Sequence, residues 1–120
     1  MKNCLVVDDS RVMRTVARRI FEELQFAIGE AEDGPGALNA CRQKMPDLIF
    51  LDGDLPSMPA VELVKKLRGQ QDGQHPVILF ATTESDAGEI AHALAAGAND
   101  YILKPFDRVS LRAKLAEIAA

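Results

Sequence analysis

The stretch Asn3-Cys4-Leu5-Val6-Val7-Asp8-Asp9-Ser10 opens the chain with a short apolar run that stops on two carboxylates. An apolar run of this length, bounded by charge, is the pattern of a strand buried on both faces. The pattern returns at Leu48-Ile49-Phe50-Leu51-Asp52. Two further runs end differently: Phe80-Ala81 leads into Thr82 and Thr83, and Tyr101-Ile102-Leu103 leads into Lys104. Charges that follow buried strands sit at strand ends. If the strands are parallel, those ends share one edge of the sheet. Three carboxylates, a hydroxyl and an ammonium then converge on one crevice, suited to a hard cation and to phosphoryl chemistry.

Working outward, strand runs alternate with helix-period segments five times. The strands are expected at Asn3–Val7, Ala27–Ala31, Leu48–Leu51, Val77–Ala81 and Tyr101–Leu103. Gly29 and Glu30 interrupt the second, which suits an edge strand. Helices are expected at Ser10–Leu24, Gly36–Lys44, Pro59–Arg68, Asp86–Ala96 and Val109–Ile118. In the first helix Met13, Val16, Ala17, Ile20, Phe21 and Leu24 recur at three- and four-residue steps and form one apolar stripe. Ser10 suits an N-cap, Pro59 the first turn of the third helix, and Gly97 a C-cap. Gly69 to His75 reads as a loop. Five strand–helix units predict an α/β fold with a parallel, doubly wound sheet and right-handed crossovers. Ligands in such sheets bind at the carboxyl ends of the strands, where strand order reverses. The order itself is not legible in these patterns.

The 120 residues suit one domain, spanning 1–120, with a core that needs no disulfide or metal staple. The net charge of −4 argues against nucleic-acid binding by bulk charge. Cys4 and Cys41 make no disulfide framework and read as small core residues. Free thiols and the lack of a signal-peptide pattern point to the cytoplasm. No apolar stretch approaches the ~20 residues of a membrane span. Met1 and a final helix reaching Ala120 fit a stand-alone domain.

Adjacent carboxylates repel and raise each other's pKa unless a cation intervenes. Asp52 adds a third, and Asp54 stands close by. Mg²⁺ suits such oxygen ligands and keeps room for a phosphate oxygen. One Asp after a strand would read simply as a helix cap. Two strands ending in Asp, with Lys104 and Thr82 ending two others, favour a site. Arg11, Arg14, Arg18 and Arg19 read as the solvated face of the first helix, with a docking surface as the alternative. His75 and His92 lack partners at metal-ligand spacing and read as surface residues.

In order and spacing these residues resemble the receiver domain of bacterial two-component response regulators. The resemblance rests on Leu5-Val6-Val7-Asp8-Asp9-Ser10, Pro46-Asp47-Leu48-Ile49-Phe50-Leu51-Asp52, Ala96-Gly97-Ala98 and Lys104-Pro105-Phe106. It spans nearly the whole chain and is nearest the single-domain, chemotaxis-regulator-like branch. It implies a flavodoxin-like fold with strand order 2-1-3-4-5. It implies that Asp52 accepts a phosphoryl group from a histidine kinase or histidine phosphotransferase. Asp9, Asp52 and the main-chain carbonyl of Asp54 would hold Mg²⁺, with Asp8 acting through a bound water. Thr82 and Lys104 would contact phosphoryl oxygens, Tyr101 would rotate with the state, and the Lys104–Pro105 bond would be cis. Asp54 and Glu84 would tune the lifetime of the phosphoryl group. The output face would be the fourth helix, fifth strand and fifth helix, contacting a downstream protein. A monomer is implied, with no catalysis beyond its own phosphorylation and dephosphorylation.

The sequence departs from the family at Leu55-Pro56-Ser57-Met58-Pro59-Ala60, where Asp-Gly is usual in place of Pro59-Ala60. A haloacid-dehalogenase-like phosphatase is a rival, since Asp52-Gly53-Asp54 matches its Asp-x-Asp core. That family places the motif after its first strand, with Thr or Val where Pro56 stands here. A pseudo-receiver that works without phosphorylation is a third reading. The complete set of Asp8, Asp9, Asp52, Thr82 and Lys104 argues against it.

Overall fold

The computed structural model describes residues 1–83 and 87–118. Strands and helices alternate: β1 (Asn3–Val7), α1 (Arg11–Glu23), β2 (Ala27–Ala31), α2 (Gly34–Gln43), β3 (Leu48–Asp52), α3 (Ala60–Arg68), β4 (Val77–Thr82), α4 (Ala87–Ala96), β5 (Asp100–Leu103) and α5 (Arg108–Glu117). All five strands pair in parallel, in the order β2-β1-β3-β4-β5. The flavodoxin-like α/β expectation is met, including the strand order that periodicity left open.

The alternation of side chains builds two cores. Leu5, Val7, Ile49, Leu51, Ile78 and Phe80 face α2, α3 and α4. Cys4, Val6, Leu48, Phe50, Leu79 and Ala81 face α1 and α5. Apolar residues on both faces are what a sheet covered on both sides requires. On the second face Phe21 meets Phe26 and Phe50 edge-on, and Phe50 meets Phe106, at 5.2–5.6 Å between ring centres. Cys4 and Cys41 are free and buried, and burial pushes both thiols up, Cys41 to about 11. They stay protonated and serve as packing.

Boundaries differ from expectation by a residue or two, with physical reasons. Ser10 caps α1, accepting the Met13 N–H at 3.2 Å. Asp33 caps α2, so that helix begins two residues early. Pro59 is the N-cap of α3 rather than part of its first turn, because its ψ of 141° is extended. The α1 stripe narrows as well. Ala17, Ile20 and Phe21 are buried, but Val16 is 42% exposed. Each residue turns the helix by ~100°, and position 16 falls outside the arc that meets the sheet. Gly97 follows α4 at φ +128°, a left-handed conformation that favours glycine. Arg68 locks this corner, donating to the carbonyls of Gly97, Gly73 and Pro76 and to Asn99 Oδ1. The expected start of α4 at Asp86 lies outside the described residues. No helix among the described residues is long and apolar enough to cross a membrane.

Candidate functional site: a carboxylate crevice at the strand ends

The chain runs from β1 out to β2 on one side, then returns to β3 on the other. The carboxyl ends of β1 and β3 therefore flank the point where strand order reverses. Register sets the depth of each group. Val7 pairs with Leu51, so Asp8 and Asp52 stand one step beyond on neighbouring strands. Asp52 is level with Ala81, and Ala81 with Ile102. Thr82 and Lys104 follow at the rim, and the Lys104 N–H donates to the Thr82 carbonyl at 2.8 Å.

The structure gathers Asp8, Asp9 and Asp52. One carboxylate oxygen from each lies within 4.8 Å of the other two. Asp52 and Asp8 are buried at 4% and 7% exposure, whereas Asp9 is exposed. Lys104 Nζ contacts Asp52 Oδ1 at 2.5 Å and stands 4.0 Å from Asp8 Oδ2. Backbone donors complete the shell: Asp54 N–H reaches Asp52 Oδ1 at 3.2 Å, and Ser10 N–H reaches Asp8 Oδ1 at 2.9 Å. Thr82 is buried at the end of β4. Thr83 is exposed, its hydroxyl 3.5 Å from Asp54 Oδ2. The Lys104–Pro105 peptide is cis. Glu84 lies outside the described residues.

Tyr101 is not part of the cluster. It is half-buried in β5 against the α2–α3–α4 core, with Lys114 Nζ 5.5 Å from its ring centre. Of the α1 arginines, Arg14 and Arg18 both pair with Glu30 on β2, and Arg14 also donates to the Asp8 carbonyl. His75 is exposed and contacts Asp47 at 2.8 Å; His92 is exposed as well. Sequence reasoning missed the Ser10 and Asp54 amide donors, and it missed Ser57, whose hydroxyl accepts the Gly34 N–H at 3.1 Å. Backbone donors and contacts between distant loops leave no residue-type signature.

Three carboxylates face one ammonium here. Burial pushes the Asp8 carboxyl up from its ordinary value, the Ser10 N–H opposes that, the Asp52 charge adds to it, Lys104 counters and Asp9 adds a little. Surplus negative charge among hard oxygen donors fits a divalent cation such as Mg²⁺. The sign of the pH effect follows. Asp8 holds its proton more tightly when folded than when unfolded. Its contribution to stability is therefore full below its ordinary value of 3.8 and is lost as pH rises through the folded value. Asp8→Asn should raise the melting temperature by a few degrees at pH 7 in chelator, with the gain vanishing near pH 4. Thermal unfolding across that range checks this, and a gain that does not depend on pH would refute it.

Comparison with known proteins agrees with this geometry. The family model of the response regulator receiver domain matches residues 4–116. The chain is 34% identical over 115 residues to chemotaxis protein CheY-3 of Vibrio cholerae, covering 95% of this chain and 88% of that protein. It superposes on the chemotaxis response regulator CheY4 of Vibrio cholerae with a TM-score of 0.92, at 30% identity and 98% coverage of both chains. A receiver domain of a sensor histidine kinase from Pseudomonas aeruginosa PAO1, with a magnesium ion coordinated in its active-site cleft, superposes with a TM-score of 0.88. Identity to it is 28%, over 99% of this chain and 98% of that one. A parallel sheet with carboxylates at its switch point, a lysine against the central one and a match along nearly the whole sequence place this chain in the response regulator receiver domain family.

Proposed function

We propose that this chain is a phosphorylation-controlled signalling switch in which Asp52 is the phosphoacceptor. The observation that carries the reading is the Lys104–Asp52 contact of 2.5 Å at the centre of the carboxylate cluster. Asp52 is the most buried of the three carboxylates and the one to which the chain's own cation is already bound. One of its oxygens attacks the phosphorus of a phosphohistidine on a kinase or phosphotransferase. The P–N bond breaks as the new P–O bond forms, and its electron pair returns to the imidazole nitrogen. A carboxylate is a poor nucleophile toward a phosphoryl group bearing anionic oxygens, so charge must be neutralised first. Asp8, Asp9, Asp52 and the Asp54 carbonyl are the groups that would hold Mg²⁺, which would supply part of that neutralisation. Lys104 supplies the rest, moving from the carboxylate to a phosphoryl oxygen.

The product adds about −1.5 to −2 charge and three acceptor oxygens. The Thr82 hydroxyl donates to one of them, and Tyr101 turns toward the space Thr82 leaves. This is a local charge event that biases a two-state element. The α4–β5–α5 face reads it out, presenting Leu94, Leu103 and Val109 to a downstream protein. Asp54 and Glu84 set the lifetime of the phosphoryl group. The chain acts in this reading as a cytoplasmic monomer of one domain, on neither nucleic acid nor membrane. It catalyses nothing beyond its own phosphorylation and dephosphorylation. The phosphatase reading loses support because Asp52-Gly53-Asp54 begins at the end of β3 rather than after the first strand. The pseudo-receiver reading loses support from the complete crevice.

The test is uptake of label from acetyl phosphate or a phosphorylated kinase, with Mg²⁺ and with chelator, followed by capture of targets in both states. Stoichiometric, Mg²⁺-dependent labelling that changes what is captured is expected. Sustained turnover of phosphate esters would favour the phosphatase instead.

A further inference from the structure

The segment after Asp52 is where this sequence leaves its family, and the structure shows what holds it. Asp54 N–H is fixed on Asp52 Oδ1, Leu55 is buried, and the next two contacts reach across to another element. Ser57 Oγ accepts the N–H of Gly34, the first residue of α2, at 3.1 Å. Met58 covers the same residue: a Cβ on Gly34 would lie 2.9 Å from Met58 Cγ and Cε. The start of α2 thus has two caps of different origin. Asp33, from the adjoining turn, accepts the Gly36 N–H at 2.7 Å. Ser57 comes from the loop that carries Asp54. A helix leaves its first four N–H groups without internal partners, so Gly34 has one to give.

We propose that Ser57 is a positioning residue for the cation crevice, its bond to Gly34 tying the Asp54 segment to α2 and thereby setting cation affinity. This rests on the reading of the crevice as a Mg²⁺ site. Two residues, Leu55 and Pro56, separate Ser57 from Asp54. A loop free at Ser57 must be ordered when the cation binds, and that ordering is charged against affinity. The two caps separate the roles, because both stabilise α2 but only one is joined to the loop. Coupling is also reciprocal: a cation that needs the loop in place must strengthen the Ser57–Gly34 bond.

The experiment is calorimetric titration with Mg²⁺ of wild type, Ser57→Ala, Ser57→Thr and Asp33→Ala, with amide exchange at Gly34 followed in wild type. Ser57→Ala should bind Mg²⁺ about 10-fold more weakly, in the range seen when groups behind a metal's ligands are removed. Ser57→Thr keeps the hydroxyl and should restore affinity. Asp33→Ala should lower the melting temperature while leaving Mg²⁺ affinity within about 2-fold, since it costs a cap alone. Mg²⁺ should slow exchange at the Gly34 amide in wild type, a measurement that needs no variant to fold. Unchanged affinity in Ser57→Ala, equal weakening in Asp33→Ala, or Gly34 exchange indifferent to Mg²⁺ would each overturn the role of Ser57. Wild type that shows no saturable Mg²⁺ binding would instead overturn the reading of the crevice.

Discussion

Asp52→Asn should abolish phosphoryl uptake while the protein stays folded. The amide keeps the shape of the carboxylate in a site only 4% exposed, so the core around it is undisturbed. It has no charge to drive attack on phosphorus, and no anionic oxygen to offer Lys104 or a cation. Labelling from acetyl phosphate should fall by on the order of 100-fold or more, since among the described residues no neighbouring carboxylate shares the position of Asp52. Asp8 and Asp9 follow a different strand, β1, and Asp54 is exposed, two residues on. Mg²⁺ should bind more weakly as well, with one of three clustered carboxylates gone. Labelling of Asp52→Asn at the wild-type rate and stoichiometry would remove Asp52 from the acceptor role. Mapping the labelled peptide would then locate the true one.

Lys104→Met should damage both stability and chemistry, and the two effects have different causes. Lys104 is 15% exposed at its side chain and contacts Asp52, which is 4% exposed. Removing one partner of a buried pair leaves the other charge uncompensated, at a cost of about 3 kcal/mol. Here the charges left behind are the three carboxylates of the crevice, so the loss should be greatest in chelator at neutral pH. It should shrink on adding Mg²⁺, which replaces the missing positive charge. The chemical loss should persist with Mg²⁺ present. A cation that neutralises a phosphoryl oxygen as charge develops is worth about 100-fold in rate when removed. Thermal unfolding with and without Mg²⁺, together with the rate of label uptake, separates the two. A variant that melts and labels as wild type does would show that the 2.5 Å contact serves neither purpose.

Legibility of the fold followed residue type. The central strands were readable because Leu5-Val6-Val7, Leu48–Leu51 and Leu79-Phe80-Ala81 are apolar at every position, and only burial on both faces makes that favourable. Asp8, Asp9, Asp52 and Lys104 were readable as a set because each interrupts such a run. Val16 shows where the signal failed, since its spacing matched the α1 stripe but the sheet meets a narrower arc of the helix. Pro59 shows another failure: its φ suits both an N-cap and a first turn, and ψ, which depends on the neighbouring loop, decided between them. Ser57 was invisible because an exposed serine between two prolines has no spacing that betrays a bond to a residue 23 positions away.

By itself the sequence determined the number and order of elements, the apolar cores on both faces and the groups that end each strand, because those follow from local periodicity and from the cost of burying charge. Tertiary structure alone decided that Asp8 and Asp52 stand at the same depth and that the loop after Asp52 is tied to α2. Those depend on strand register and on contacts between segments far apart in the chain. Distance through space is set by how strands pair and pack, and residues that meet only in the folded chain leave no periodicity along it.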